Sequence, residues 1–146
     1  MKTTSLGIAL LASVAIGCSD SSGPGSATPA DLVGQWIANA YTVTSVANTS
    51  TSVELVGMGF SLTLTFTETT YAGVASFPGE LQENFSGTYT IEGQTLILDE
   101  VGQDLPETMG YVLSGSVLTL TGTDSHDFTD NQQEEPVTFV LIMNKQ

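Results

Sequence analysis

From Gly34 to Gln146 apolar and polar residues alternate, and no stretch sustains a helical period. Phe60, Leu62, Leu64 and Phe66 are interleaved with Ser61, Thr63, Thr65 and Thr67. That pattern predicts a half-buried strand with one apolar face and one hydroxyl face. Val137, Phe139, Leu141 and Met143 form a second set near the C-terminus, where Val140 and Ile142 make the opposite face apolar too. β-Branched and aromatic residues fill these runs, as a pleated surface prefers. The runs predict strands at Trp36–Val46, Val53–Leu55, Phe60–Thr67, Thr70–Ser76, Asn84–Ile91, Thr95–Asp99, Thr108–Leu113, Val117–Thr121, Asp127–Phe128 and Val137–Met143. Thr28-Pro29-Ala30-Asp31 carries an N-cap, a proline at the first helical position and an acid at the third, so one helical turn is expected before the first strand.

Two segments are nearly a repeat. Tyr89 to Leu98 aligns with Tyr111 to Leu120, matching the tyrosines, Gly93 with Gly115, and Leu96 and Leu98 with Leu118 and Leu120. Each glycine supplies the positive φ that a tight hairpin needs. Short links force antiparallel neighbours, because parallel strands need a long crossover. The expected fold is therefore all-β: a single antiparallel up-and-down barrel of about 8–10 strands, closed so that no edge is exposed. Its candidate interior is Trp36, Phe60, Leu62, Leu64, Phe66, Tyr89, Ile91, Leu96, Leu98, Leu118 and Leu120. If small residues leave room there, a small hydrophobic ligand fits inside; if side chains fill it, the barrel is an ordinary core. So short a chain favours the filled core.

The N-terminal segment has a different pattern. Lys2 precedes an apolar run, Leu6 to Ile16, of about 11 residues, which suits a signal-peptide core and is too short to span a bilayer. Val14-Ala15-Ile16-Gly17-Cys18 resembles the lipobox of bacterial lipoproteins. The resemblance implies cleavage before Cys18, lipidation of its thiol, and attachment to a membrane through that lipid. With Ser19 after the cysteine, it implies the outer membrane of a cell envelope that has one. The other readings are secretion with a free thiol and a signal anchor. Cys18 is the only cysteine, so no intramolecular disulfide can form. Ser19 to Ala27 is rich in Ser and Gly and reads as a tether. The expected organisation is a signal peptide over 1–17, a lipidated cysteine and linker over 18–30, and a barrel domain over 31–146.

Charge narrows the functional classes. The chain has 16 acidic residues against 2 basic ones, a formal net charge of −14. Cleavage at Cys18 would remove Lys2 and leave Lys145 as the single base. Such a chain has no phosphate-binding surface, which excludes nucleic acid, and it repels anionic headgroups, so a lipid must hold it to a membrane. Scattered acids read as a solvated surface, as an adaptation to high salt or as a diffuse site for divalent cations. The chemistry points away from an enzyme. The one histidine, His126, lies in the polar run Thr123 to Asp127, which reads as an exposed loop or edge strand, and no Gly-x-Ser-x-Gly elbow is present. Asp124, Asp127, Asp130, Asn131 and Glu134 lack the spacing and glycine of an EF-hand loop. No catalytic residue, metal or cofactor is expected.

Asp31-Leu32-Val33-Gly34-Gln35-Trp36 resembles the Gly-x-Trp opening of the lipocalin and lipocalin-like superfamily. Leu64 to Thr67 and Gly87 to Leu96 resemble its following strand and hairpin motifs. The resemblance places Trp36 at the closed end of a barrel, under a basic side chain from the last strand, for which Lys145 is the only candidate; a core aromatic with no special role is the alternative. It implies a lipid-anchored protein that binds a small hydrophobic or amphipathic ligand at the cell envelope. The competing expectation is a structural or protein-interaction module with a packed barrel.

Overall fold

The computed structural model describes residues 28–128 and 133–146. The apolar run, Cys18 and residues 18–27 of the linker lie outside the described residues, as do Asp130 and Asn131. Nine strands follow one short helix: α1 (Pro29–Leu32), β1 (Gly34–Ser45), β2 (Ser52–Glu54), β3 (Ser61–Phe66), β4 (Thr70–Ser76), β5 (Glu83–Glu92), β6 (Thr95–Glu100), β7 (Glu107–Ser114), β8 (Val117–His126) and β9 (Glu135–Lys145). From β3 onward each strand pairs antiparallel with the next, and β9 returns to pair with β1 over Trp36–Ser45. Eight strands thus close an up-and-down barrel, and β2 pairs with β1 alone.

Strand β1 is long enough to divide one edge between two partners. Gly34–Ile37 pair with β3, and Thr42–Thr44 pair with β2. Between these stretches its backbone turns to a side chain. The Tyr41 N–H donates to the Glu54 carboxylate (2.8 Å), and the Tyr41 carbonyl accepts from the Leu55 N–H (2.8 Å). On its other edge, the register against β9 slips between Ala38 and Ala40. Because side chains alternate with period two, one extra residue exchanges the faces. Trp36 is buried in the barrel before the slip, and Val43 and Ser45 after it.

The region after Thr121 departs from the sequence expectation. No separate strand forms at Asp127–Phe128. Instead β8 runs unbroken to His126, pairing Gly122 with Phe139, Asp124 with Val137 and His126 with Glu135. The backbone ladder of the apolar β9 carries a polar partner along, as tertiary context overrides local propensity. His126 accordingly ends a barrel strand, half-buried, with its ring 4.9 Å from that of Phe128.

The hairpin repeat has a structural meaning. Gly93 and Gly115 sit at φ 63° and 59° in the β5–β6 and β7–β8 turns. Each matched tyrosine then reaches back to the preceding turn. The Tyr89 N–H donates to Thr69 O, and its hydroxyl to Thr67 O (2.7 Å). The Tyr111 N–H donates to Gln94 O, and its hydroxyl to Gly93 O (3.2 Å). The Lys145 N–H completes the series on Ser116 O.

Helix α1 covers this end. The Asp31 carboxylate accepts from the Thr28 N–H (2.7 Å) and hydroxyl (2.8 Å), which holds its own pKa below the usual carboxylate value. Leu32 is fully buried, and its carbonyl accepts from the Trp36 indole N–H (2.7 Å). The folded unit therefore takes in Thr28–Ala30, which the sequence assigns to the linker.

Candidate functional site

The eleven interior candidates separate into two groups along the barrel axis. Trp36, Phe66, Tyr89, Ile91, Leu96 and Leu118 pack the end beneath α1. Phe66 and Tyr89 meet edge-on with ring centroids 5.1 Å apart. Lys145 lies over Trp36, its ammonium 5.3 Å from the ring centroid and 3.2 Å from Asp31 O. This is the placement that the resemblance implies for a tryptophan and a last-strand base. Leu32, Trp36, Leu96, Leu118 and Met143 are wholly buried at this end.

Phe60, Leu62, Leu64, Leu98 and Leu120 instead line a cavity of about 790 Å³ that opens at the opposite end. Its floor is apolar: Val43, Leu64, Leu98, Met109, Leu120 and Leu141. Such a volume falls in the range of small-molecule sites. Two glycines help to leave it open. A Cβ on Gly73 would lie 2.0 Å from the Phe85 ring, and one on Gly122 would lie 2.6 Å from the Phe139 ring. With only hydrogen there, both rings lie against the barrel wall across from the glycines that they pair with.

The mouth changes character within one repeat of the strand. On β6 the inward positions run Leu96, Leu98, Glu100; on β7 they run Met109, then Glu107 toward the mouth; on β8 they run Leu118, Leu120, Gly122, Asp124. Same-face residues are spaced by about 6.6–6.8 Å, so the carboxylates stand one or two layers above the last buried apolar side chain. Partial burial raises the Glu107 pKa, and the charges of Asp124 and Glu100 raise it further, although the residue as a whole stays exposed to water.

The facing wall is aromatic. Tyr41 on β1 packs on Phe60 (5.3 Å between centroids) and edge-on to Phe139 on β9 (5.9 Å), and Phe60 packs on Phe77 (4.7 Å). Burial pushes the Tyr41 phenol up to about 12, helped by the charges of Asp124 and Glu107. Burial likewise lifts Tyr71 to about 12, with Glu100, Glu107 and Asp99 adding to it.

The loop between β1 and β3 forms one side of this mouth, and Glu54 shapes it. Its carboxylate accepts from the backbone N–H groups of Tyr41, Gly57 and Val56, which hold its pKa below the usual value. The same loop buries Leu55 and Phe60. Around the mouth, other loop side chains remain in solvent: Leu81 is 92% exposed, Leu105 81%, Val101 79% and Met58 67%.

Sequence reasoning did not identify the carboxylates Glu100, Glu107 and Asp124 as lumen residues. Glu100 reads as one of the scattered surface acids, and Asp124 as part of a run that forms an exposed loop or edge strand. The available signal was register: counting forward in twos from Leu98 and Leu120 puts both on the inward face. Among the described residues no group of His, Cys, Asp and Glu is arranged to hold a metal ion. No family model and no curated protein matches the chain.

Proposed function

We propose that this chain is a lipid-anchored, lipocalin-like protein of the cell envelope that binds a small hydrophobic or amphipathic molecule. The observation that carries the binding half is the open cavity with an apolar floor. Burial of an apolar ligand there contributes about 25 cal/mol per Å² of apolar surface removed from water. The anchoring half rests on the lipobox-like run ending at Cys18. Two or more acyl chains on that residue hold a protein firmly, at about 0.8 kcal/mol per buried methylene. The alternative, a structural or interaction module without a ligand, draws support from the exposed apolar side chains Leu81, Leu105 and Val101 around the mouth.

Mass spectrometry of the protein from its own host tests both halves. Intact mass of the membrane extract is expected to show a chain beginning at Cys18 and carrying acyl groups. A native spectrum of the chain from Thr28 onward, which holds the cap and every barrel strand, is expected to show one bound small molecule. An unmodified chain retaining residues 1–17 would overturn the anchor. A spectrum of protein alone would favour the interaction module.

A further inference from the structure

We propose that the cavity selects a cationic amphiphile, an alkylammonium or quaternary ammonium compound, with its apolar tail on the floor and its charged head at the mouth. This rests on the reading of the cavity as a ligand site and names the class of ligand.

The mouth of the cavity has two sides. Around the ring the strands run β1, β3, β4, β5, β6, β7, β8, β9. Glu100, Glu107 and Asp124 come from three consecutive strands, β6, β7 and β8. Tyr41, Phe60 and Phe77 come from β1 and the near ends of β3 and β4, on the other side of the ring. An ammonium entering between them meets the carboxylates of β6–β8 on one side and aromatic side chains on the other, with Glu80 and Glu83 also lining the mouth. Both attract a cation, and desolvation strengthens both.

Charge balance points the same way. The whole chain holds two basic residues, Lys2 and Lys145. Lys145 is committed at the closed end over Trp36, at the far end of the barrel from the carboxylates. Lys2 lies before the expected cleavage point. Among the described residues no lysine or arginine therefore reaches the mouth, and the one basic side chain that lines it is the imidazole of His126. Burial chiefly raises the Glu107 pKa, and the negative charges of Asp124 and Glu100 raise it further, so the three carboxylates repel one another there. A fatty acid or any other anionic amphiphile would add to that repulsion, whereas a cationic head removes it. The floor requires a tail: Leu64, Leu98, Met109 and Leu120 offer no polar partner, so a small cation without an apolar chain leaves the cavity's main contact unmade.

Calorimetric titration of the chain from Thr28 onward with three decyl probes tests this. Decyltrimethylammonium, decanol and decanoate share a tail and differ only in head charge. Tetramethylammonium serves as the head without a tail. The expected order is decyltrimethylammonium tightest, by roughly tenfold or more over decanol at low salt, then decanol, then decanoate. Tetramethylammonium should bind weaker than any decyl probe that enters. The preference should shrink as salt rises toward 0.5 M, where the Debye length falls well below about 8 Å. The triple variant Glu100→Gln, Glu107→Gln, Asp124→Asn should lose the preference for the cation. If that variant fails to fold, the salt dependence of the natural chain decides. Equal binding of the three decyl probes would overturn the charge selectivity and leave the ligand site standing. Absence of binding by all three would overturn the ligand site itself. Full preference retained in the triple variant would assign it to the overall acidic field instead of the mouth, and would overturn the proposal.

Discussion

The two ends of the barrel are made from the same eight strands and have opposite characters. At the closed end, Trp36, Leu32, Leu118 and Met143 are wholly buried. The turns are tight, and tyrosine hydroxyls and backbone N–H groups tie each hairpin to the one before. The only lysine among the described residues sits there. At the open end the loops are longer, the lumen holds a cavity, the inward positions turn acidic, and apolar side chains stand in solvent. The comparison teaches that one set of strands can be sealed at one end and open at the other: tight turns and the α1 cap bury the closed end, whereas at the open end the inward positions turn acidic and apolar loop side chains stay in solvent.

The comparison breaks most visibly if a core residue at the closed end proves dispensable. Trp36→Ala deletes a fully buried indole together with its bond to Leu32 O, and is expected to cost about 3–5 kcal/mol in urea unfolding. Leu81→Ser at the mouth is expected to stay within about 0.5 kcal/mol, because that side chain is already in water. Comparable losses in the two variants would sink the division into a packed end and an open one.

A finer probe makes the same substitution at both ends. Tyr89→Phe removes a hydroxyl that lies 2.7 Å from Thr67 O and 3.2 Å from Pro29 O. The expected loss is about 1 kcal/mol. Tyr41→Phe, in the cavity wall, should shift the unfolding midpoint by less than half as much. The reverse order would show that the tyrosine series does not hold the closed end together.

The smallest effects concern pH, and the two acids respond in opposite senses. The folded pKa of Glu54 lies below its ordinary 4.5, so its contribution is present above pH 4.5 and is lost as pH falls through the folded value. The folded pKa of Glu107 lies above 4.5, so its ionised form weakens the fold, and that penalty is relieved as pH falls toward 4.5. In urea titrations at pH 7, Glu54→Gln should lower the midpoint and Glu107→Gln should raise it. At pH 3 both differences should be smaller. Midpoints moving in the same direction at pH 7 would contradict the assignment of Glu54 as a brace and Glu107 as an unmatched charge.

Much of the fold was legible in the chain because its rules are local. The alternation through Phe60 to Phe66 predicts β3 within a residue at each end, and Thr70–Ser76 is β4 as expected. Gly93 and Gly115 mark two turns, since a positive φ strongly favours glycine. Thr28, Pro29 and Asp31 announce α1 through capping chemistry confined to one turn. Where pairing is decided at a distance, the chain was silent. The polar run Gly122 to His126 lacks apolar alternation, yet it continues β8, because β9 supplies its ladder. The slip at Ala38/Ala40 changes which side chains of β1 face inward, and nothing local to Asn39 marks it.

The candidate site divides in the same way. Leu62, Leu64, Leu98 and Leu120 could be assigned to the interior from alternation alone. Which of the interior residues line a cavity could not. That depends on Gly73 and Gly122 lying opposite Phe85 and Phe139, a cross-strand matter. Glu100 and Asp124 share a face with leucines on their own strands, but only closure of the barrel brings three adjacent strands' acids to one mouth, facing Tyr41 and Phe60.

By itself, then, the sequence determined an all-β barrel, its hairpins, its cap and an almost wholly acidic charge, because periodicity, turn chemistry and composition act over a few residues. The tertiary structure decided that one end of the barrel is capped and the other carries a recess, and that acids gather around that recess. Lumen volume and charge convergence depend on which residues meet across the sheet. That is fixed by register and closure, which no single strand contains.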